Sequence, residues 1–336
     1  MTKQDLIDRL QARGQEQEKL WAEADRIRKE TLGEAVHLRG IIEFSNYCVR
    51  NCVYCGLRRD NRRLLRYRMS VEEILQAARI GTAAGYKTIV LQSGEDPWYD
   101  VDKICTIVRE IKQMGVAVTL SLGERPKEEL AQFRQAGADR YLLKHETIDP
   151  DLYARLHPRG SYRSRIGALY TLKELGYQVG TGIMVGLPGQ GLETIAADIL
   201  FMKEFAPAMV GIGVFIPHPN TPLGATPPGS VDITLNAVAL TRLVLPDVHL
   251  PATTALATID PKGRERALRA GANVIMPNIT PLHYRRKYEI YPGKSRGARA
   301  NHLTVREEIE DMIRGLGRTV AQDHGHYYRR DANVQV

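Results

Sequence analysis

Short apolar segments rich in β-branched residues alternate with longer segments of helical periodicity through most of the chain. In the first of the helical segments, VEEILQAARIGTAAG, apolar residues recur every three or four positions, and a glycine ends the pattern. Glycines also follow several other helical segments, where a left-handed backbone stops a helix. The pattern predicts eight β-strands, each followed by a helix. The strands are predicted at GIIEFS, KTIVLQS, VAVTLSL, ADRYLLK, YQVGTGIMVGL, MVGIGVFI, LPATTA and ANVIMP.

Eight successive strand–helix units indicate a parallel sheet, because parallel strands are joined by crossover helices. The strands are almost continuously apolar, as expected where helices cover them. No GxGxxG follows the first strand and no acidic ribose-binding residue follows it at the usual distance, which disfavours a nicotinamide-binding Rossmann domain. The chain is therefore predicted to be an α/β protein with a (β/α)8 TIM barrel.

Helical patterns also lie outside the barrel segments. Between Thr2 and Thr31, apolar residues at loosely helical spacing predict one or two amphipathic helices that could form a lid or cap. We therefore expect an N-terminal helical extension (1–34), a barrel (35–300) and a C-terminal helix with a polar tail (301–336). The tail, DHGHYYRRDANVQV, is expected to be weakly ordered, and its two histidines receive no role.

The composition is that of a soluble globular protein, with 43% hydrophobic and 26% charged residues. No run approaches the roughly 18 apolar residues that a membrane helix needs. The chain has only four cysteines and no signal peptide, which disfavours a secreted disulfide framework. We expect a cytoplasmic protein that does not insert into a membrane.

Three of the four cysteines, Cys48, Cys52 and Cys55, follow the first predicted strand at the spacing C-x3-C-x2-C. A structural zinc site uses four ligands and an ordinary 4Fe-4S cluster uses four cysteines, so three thiolates would leave one iron with an open position. The alternatives are three buried free thiols and a zinc site completed by a distant histidine. The intervening residues show no helical or strand period, so the spacing favours an iron–sulfur cluster.

Arginines dominate the stretch directly after the cysteines, RRDNRRLLRYR, and contribute to a formal net charge of +8. Such a run is most often a solvated face of the protein. No aromatic stacking pattern or RNA-binding signature accompanies it, so a nucleic-acid partner is not expected. Its position next to the cysteines suggests that it could face an anionic substrate or the cluster.

Features at other strand ends suggest that the open iron binds S-adenosylmethionine, which chelates through its amino-acid groups. An aromatic residue, Tyr54, precedes the third cysteine, where it could flank an adenine ring. A polar turn, LQSGED, closes the second strand with Gln92 and Ser93, and a second turn, GIMVGLPGQ, closes the fifth. Each turn alone is common in proteins. Their joint placement at the carboxyl ends of strands indicates a site.

The motif C-x3-C-x-aromatic-C after the first strand of such a barrel resembles that of the radical S-adenosylmethionine superfamily. An ordered set of segments between residues 39 and 294 resembles, more closely, the HydE family of FeFe-hydrogenase maturases. The cysteine motif specifies the superfamily only, whereas the ordered set is far more specific. The set comprises CGLRRDN, LQSGEDP, TLSLGE, RYLLKHET, MVGLPGQ, FIPHPNTPL, PATTA, GANVIMPN and YPGK.

This resemblance implies that the three cysteines hold one 4Fe-4S cluster, whose fourth iron takes the amino and carboxylate groups of S-adenosylmethionine. The reduced cluster would deliver one electron and split the C5′–S bond, giving methionine and a 5′-deoxyadenosyl radical. Ser121, Glu146 and Arg165 match family positions that orient the methionine part and the ribose, with the guanidinium on the carboxylate. Without the resemblance, Ser121 could be an ordinary hydrogen-bonded hydroxyl of the core, and Glu146 and Arg165 could form a structural ion pair.

Further family positions surround the adenosyl group and the substrate. Met184, Met209 and Tyr288 match positions around the adenosyl group and the barrel mouth, although methionines at such sites are often plain core. Two threonines in PATTA follow the seventh strand, and two arginines on predicted strands carry charge that needs a partner if it is buried. The candidate substrate contacts are Thr253, Thr254, Tyr291, Arg39 and Arg140.

The chain departs from some family members after YPGK. Those members carry additional cysteines there that bind a second cluster, but this chain has none between Ser295 and His302. A second cluster is therefore not expected. The fourth cysteine, Cys105, lies in a helical pattern among isoleucines and valine and is predicted to pack in the core.

The resemblance implies an enzyme of hydrogenase maturation. Its substrate would be a cysteine-ligated iron carbonyl cyanide complex from a sister maturase, and its product would enter the diiron, dithiolate-bridged unit of the H-cluster. An external donor would supply the electrons. Two other enzyme classes of the superfamily, which act on small amino-acid-type substrates, are alternatives. One converts lysine to methylornithine. The other inserts sulfur as biotin synthase does, which needs a second cluster that this chain is not expected to hold. A non-catalytic metal-binding module that docks partners through its arginines is the last alternative.

Overall fold

In the computed structural model, which describes residues 1–295 and 302–328, strands and helices alternate as the sequence pattern predicts. The strands are β1 (Ala35–Leu38), β2 (Gly40–Ser45), β3 (Thr88–Ser93), β4 (Ala117–Ser121), β5 (Arg140–Leu142), β6 (Gln178–Val185), β7 (Met209–Val214), β8 (Val274–Ile275) and β9 (Thr319–Val320). The helices are α1 (Lys3–Leu10), α2 (Gly14–Leu32), α3 (Val71–Ala83), α4 (Val101–Gln113), α5 (Lys127–Gln135), α6 (Pro150–Leu156), α7 (Tyr162–Glu174), α8 (Leu192–Phe205), α9 (Val231–Val244), α10 (Thr254–Ile259), α11 (Gly263–Arg269), α12 (Leu282–Arg285) and α13 (His302–Gly315).

The strands from β2 to β7 form a six-stranded parallel sheet in sequence order. Isolated parallel bridges continue the pairing beyond β7 through residues 249–251 and β8, and a hydrogen bond of 2.8 Å from the Ile41 amide to the Pro277 carbonyl leads back to β2. The predicted parallel α/β fold is confirmed. The segment LPATTA, which was predicted to be a strand, forms only isolated bridges. The bridges pair Met209 with His249, Pro251 with Val274, and Ile41 with Asn278.

The helices cover the strands because each presents an apolar face to them. In α4, Ile104, Val108 and Ile111 recur at helical spacing and are fully buried. The helix begins where the Asp100 side chain accepts a hydrogen bond from a backbone amide of the first turn. Cys105 lies on the same buried face, so the prediction that it packs in the core is confirmed.

The N-terminal helices lie on the outside of the barrel. Both α1 and α2 pack against α9, and the Asn236 side chain of α9 accepts hydrogen bonds from Gln17 (2.9 Å) and Trp21 (3.0 Å). No residue of α1 or α2 lines the central cavity described below. The extension therefore braces the helical layer, and a role as a lid or cap stays a prediction.

The C-terminal segment crosses the amino-terminal end of the barrel. Its strand β9 pairs in parallel with β1, and two buried arginines at the start of barrel strands hold the residues that follow. Arg140 donates to the carbonyl of His324 (2.6 Å), and Arg39 donates to the carbonyl of Gly325 (3.1 Å). The expectation of a weakly ordered tail is wrong for residues 323–328, because their carbonyls accept hydrogen bonds from buried guanidiniums, which need such partners.

Three predicted features extend outside the described residues: the domain boundary at residue 300, most of the cysteine-free stretch 295–302, and the end of the polar tail, 329–336. The domain limits therefore stay a prediction. Across the part of the chain that the structure describes, no helix is long and apolar enough to cross a bilayer.

Replacing Arg140 with methionine should loosen the C-terminal segment. The change removes charged hydrogen bonds to the His324 carbonyl (2.6 Å) and to the Thr88 hydroxyl (3.1 Å). We expect the free energy of unfolding in urea to fall by about 2 kcal/mol. An Arg109→Met control, exposed on α4, should change it little. Equal stability of Arg140→Met and the wild type would contradict this role.

Candidate functional site

The loop that carries the three cysteines, residues 46–68, leaves the carboxyl end of β2 and has no regular structure of its own. Backbone hydrogen bonds tie it to segments that follow β3, β5 and β8. Its shape is therefore set by tertiary contacts. The bonds run from Val49 to Glu95 (2.9 Å), from Val53 to Leu156 (3.0 Å) and from Gly56 to Ile290 (2.9 Å).

Part of the arginine run stabilises this loop. Arg66 donates hydrogen bonds to the carbonyl oxygens of Leu57 (2.9 Å) and Arg58 (2.7 Å). Arg68 forms two hydrogen bonds, of 2.7 and 2.9 Å, with the buried carboxylate of Asp96. These two arginines therefore have a structural role, which the sequence alone did not indicate.

The turn after β3 approaches the cysteine loop so closely that glycine is required. A Cβ atom on Gly94 would lie 2.1 Å from the carbonyl oxygen of Tyr47 and 2.8 Å from the Cβ atom of Cys48. In the same turn, the Ser93 hydroxyl donates to the carbonyl of Gly94 (2.7 Å), and Gln92 lines the central cavity. The turn LQSGED thus positions the first cysteine.

The three cysteines are half-buried and free, and they are close enough to affect one another's ionisation. Burial raises the pKa of Cys52 to about 12, and the neighbouring Cys48 adds to the effect. Burial also raises the pKa of Cys55, with contributions from both other thiols. Thiolates that are poorly solvated and repel one another are stabilised by bound metal ions. This set of donors fits an iron–sulfur cluster.

The arrangement of the donors suits a cluster that has several irons. Within residues 1–295 and 302–328, no three His, Cys, Asp or Glu side chains converge as the ligands of one ion would. The cysteines of a 4Fe-4S cluster bind separate irons, so they need not converge on one point. A fourth iron would be left for a ligand from outside the chain.

Four charged side chains form a network beside the loop. Arg165 of α7 donates to Glu124 (2.8 Å) and to the carbonyl of Lys144 (2.7 Å). Arg50 of the loop forms an ion pair with Glu95 and lies 3.7 Å from Glu124. The Nη2 atom of Arg165 lies 3.8 Å from Glu95 and makes no hydrogen bond within the described ranges, so it can bind a further carboxylate.

Glu146 occupies a strained position just beyond β5. Its φ angle of +67° lies in the left-handed region, which a glutamate rarely adopts. Backbone hydrogen bonds with Gly182 (3.0 Å) and Met184 (3.3 Å) hold it there. Its carboxylate pairs with Lys144 (3.0 Å), which lowers the pKa of Glu146 although burial acts in the opposite direction. The ion pair with Arg165 that we considered as an alternative is therefore not formed.

Tyr54 lies in a small apolar cluster beside the cysteine loop. Its hydroxyl is 2.9 Å from Nε2 of His157. Tyr54 and Met184 both pack against the buried cluster formed by Leu152, Leu156, Leu187 and Phe215. Burial lowers the pKa of His157 to about 4, so this imidazole is neutral at pH 7. Sequence reasoning missed His157 because it is 103 positions away from Tyr54 and carries no local signal.

A cavity of about 190 Å³ lies inside the ring of strands. It is lined by the predicted cofactor contacts Gln92 and Met209 and by the predicted substrate contacts Thr253, Thr254 and Tyr291. These residues come from four different segments of the chain, so the fold brings them together. Charged lining residues that sequence reasoning missed are Glu43, Lys144, Arg264, Arg285 and Lys294.

The other predicted residues do not line this cavity. Ser121 is half-buried at the end of β4, and Tyr288 is buried with its ring centre 4.9 Å from the ammonium group of Lys294. Arg39 and Arg140 lie at the amino-terminal end of the strands and bind the C-terminal segment. Their guanidiniums thus donate hydrogen bonds within the chain, and their assignment as substrate contacts stays a prediction.

The chain is similar to several known proteins. A family model described as the radical SAM superfamily matches residues 42–202. The chain is 59% identical over 315 residues to the [FeFe] hydrogenase maturase subunit HydE of Thermotoga maritima, covering 92% of this chain and 88% of that protein. It is 33% identical over 264 residues to the 3-methylornithine synthase of Methanosarcina acetivorans, covering 78% and 74%. The crystal structure of methylornithine synthase (PylB) matches with a TM-score of 0.83 at 27% identity, covering 95% of this chain and 94% of that chain.

Replacing Gly94 with alanine should displace the first cysteine. The new methyl group would overlap the Tyr47 carbonyl, so the loop must shift. We expect the iron and sulfide content after anaerobic reconstitution to fall to less than about half of the wild-type value, with an unchanged far-UV circular dichroism spectrum. Gly167→Ala on α7, where a Cβ atom meets nothing within 4 Å, is the control and should bind iron normally. Full iron content in Gly94→Ala would refute the steric constraint.

The thiols of the metal-free protein should react slowly with iodoacetamide. Only the thiolate reacts, and burial raises the pKa of Cys52 and Cys55 above the value in an unfolded chain. At pH 8 we expect both residues to be modified at least about tenfold faster in urea than in the folded protein, and the folded rate to increase with pH. Mass spectrometry of the modified peptides measures both rates, and equal rates would rule out the raised pKa values.

Proposed function

The chain belongs to the radical S-adenosylmethionine superfamily, and from that premise we propose that it is a HydE-type maturase that helps to assemble the FeFe-hydrogenase active site. It is an enzyme of that superfamily. The observation that carries the proposal is the loop of three half-buried thiols at the strand ends, in a chain 59% identical to HydE. When bound, a reduced 4Fe-4S cluster supplies one electron to S-adenosylmethionine, which yields methionine and a 5′-deoxyadenosyl radical.

The residues of the chain hold and orient these groups. Cys48, Cys52 and Cys55 bind three irons of the one cluster as thiolates. Arg165 offers its Nη2 atom to the methionine carboxylate, and Glu146, held by its strained backbone, accepts hydrogen bonds from the ribose. Tyr54 and its apolar cluster flank the adenine. Further contacts with S-adenosylmethionine are assigned to Gln92, Ser93, Ser121, Met184, Met209 and Tyr288.

The substrate is a cysteine-ligated iron carbonyl cyanide complex that a sister maturase supplies, and the product enters the diiron, dithiolate-bridged unit of the H-cluster. An external donor provides electrons, and the reaction takes place in the cytoplasm. The name of the relative at 59% identity supports this assignment. The cavity of about 190 Å³, with Thr253, Thr254 and Tyr291 in its wall, has room for a small molecule.

A second candidate is the rearrangement of lysine to methylornithine. The similarity to 3-methylornithine synthase and to the PylB structure supports it, but the identity of 33% is well below the 59% to HydE. Biotin-type sulfur insertion is disfavoured, because no cysteine after Cys105 could ligate a second cluster. The non-catalytic module no longer competes, since the relatives found at these identities are enzymes of this superfamily.

Substitution of one cluster cysteine tests the radical chemistry. The reconstituted wild-type protein, reduced with dithionite, should give an electron paramagnetic resonance signal that changes when S-adenosylmethionine is added, and it should form 5′-deoxyadenosine. Cys52→Ala should lose both, because two thiolates cannot hold the cluster. Cys105→Ala, which alters a cysteine of the buried core, is the control and should retain both.

Two outcomes would change the proposal. A cluster that does not respond to S-adenosylmethionine, or a wild-type protein that forms no 5′-deoxyadenosine, would refute the radical reaction. Methylornithine formed from added lysine would replace the maturase assignment with the second candidate.

A further inference from the structure

Exposed positive charge is concentrated on the cysteine loop. Three of its arginines, Arg59, Arg62 and Arg63, are exposed to solvent, and Asp60 is the one carboxylate in the loop sequence. Arg59 pairs with Asp60 (3.0 Å), and Arg63 donates a hydrogen bond to the neutral side chain of Asn220 (3.2 Å). Arg62 forms no ion pair within the part of the chain that the structure describes. The surface of the loop therefore carries excess positive charge.

Backbone hydrogen bonds attach these arginines to the cysteine segment itself. The amide of Arg58 donates to the carbonyl of Cys55 (3.0 Å), and the amide of Arg59 donates to the carbonyl of Arg50 (2.8 Å). The exposed charge is thus held directly beside the backbone that positions the three thiols.

Exposed apolar side chains lie in the same region. Val49, which directly follows the first cysteine, is exposed, and Leu65 of the loop is 66% exposed. The carbonyl of Leu65 accepts a hydrogen bond from the Asn46 side chain (2.9 Å). Trp98, also exposed, follows the turn after β3, and its ring centre lies 5.5 Å from the guanidinium of Arg68. Exposed apolar side chains bordered by charged residues mark sites where other proteins bind.

We propose that this surface of the cysteine loop is the docking face for a small acidic electron-carrier protein. The docking face comprises Val49, Arg59, Arg62, Arg63, Leu65 and Trp98. This inference rests on the proposed function, in which an external donor reduces the cluster. In each encounter the reduced carrier loses one electron, and the oxidised cluster on the three cysteines gains it.

The position and the chemistry of the docking face favour this partner. Electron transfer slows steeply with distance, so a donor has to approach the cluster, and the docking face lies on the loop that carries the thiols. Electron-transfer complexes bury little surface, so a few apolar side chains with a charged rim are sufficient. Positive charge attracts an acidic carrier, whereas it opposes the approach of a second copy of this chain through the same face.

Calorimetric titration of the reconstituted protein with an oxidised acidic 4Fe-4S ferredoxin tests the proposal. The wild-type protein should bind the ferredoxin at low ionic strength and lose at least about tenfold in affinity in about 0.5 M sodium chloride. The face variant, which combines Arg59→Gln, Arg62→Gln and Arg63→Gln, should bind at least about tenfold more weakly at low ionic strength. Leu65→Gln should weaken binding at both salt concentrations, because it removes apolar contact and no charge.

A matched control variant removes the same number of charges elsewhere. Arg13, Arg26 and Arg109 are exposed and lie in or beside α2 and α4, outside the cysteine loop. Their joint replacement with glutamine should leave the affinity for ferredoxin close to the wild-type value. Dithionite should reduce both triple variants to the wild-type extent, because a small reductant needs no docking face. Iron content and melting temperatures identify any variant that does not fold, and the salt dependence of the wild type needs no variant.

Three results would overturn the inference: no binding of ferredoxin by the wild type at low ionic strength, unchanged affinity in the folded face variant, or an equal loss of affinity in the control variant. A wild-type dimer that becomes monomeric in the face variant, measured by sedimentation, would assign the face to a second copy of this chain. Tighter binding of a single-stranded RNA than of the ferredoxin would assign it to nucleic acid.

Formation of 5′-deoxyadenosine with dithionite is measured separately from the binding of ferredoxin. If it is absent while ferredoxin binds as expected, the proposed function fails and the docking face stands. If it is present while the face variant and the wild type bind ferredoxin equally, the docking face fails and the proposed function stands.

Discussion

The structure depends on one constraint: three thiols are held at the carboxyl end of a parallel barrel, in a place where their charged forms are poorly solvated. A loop without regular structure can be rigid there only if its backbone groups find partners elsewhere. The partners lie on segments after β3, β5 and β8, on different sides of the barrel. The cysteine loop therefore takes its shape only when strands that are distant in sequence have assembled.

Charge is arranged differently at the two ends of the barrel. At the carboxyl end, Arg50 and Arg165 share the carboxylates Glu95 and Glu124, so the charges beside the thiols largely compensate one another. At the amino end, the buried arginines Arg39 and Arg140 donate hydrogen bonds to backbone carbonyls of the C-terminal segment. Between these ends lies a cavity whose wall carries more positive than negative side chains, which favours a small anion.

Backbone strain at Glu146 and close backbone contact at Gly94 both occur in the functional site. Glu146 is held in a left-handed conformation by its neighbours, at a cost of about 1 to 3 kcal/mol. Gly94 allows the turn after β3 to touch the cysteine loop. Both features lie at the carboxyl ends of strands, and both depend on backbone geometry that a residue pattern does not reveal. The barrel thus supplies rigid edges against which an irregular site can be built.

The sequence by itself determined the order of strands and helices and the identity of the three thiols, because periodicity and cysteine spacing are local properties of the chain. Only the tertiary structure decided which groups neutralise the buried charges. Arg140 meets the His324 carbonyl across 184 positions, and Lys294 meets Glu43 across 251. Two arginines that look alike in sequence consequently have different surroundings: Arg140 is bonded to the C-terminal segment, and Arg264 lines the cavity. A buried charge is satisfied by whatever the fold brings beside it, and no local pattern encodes that partner.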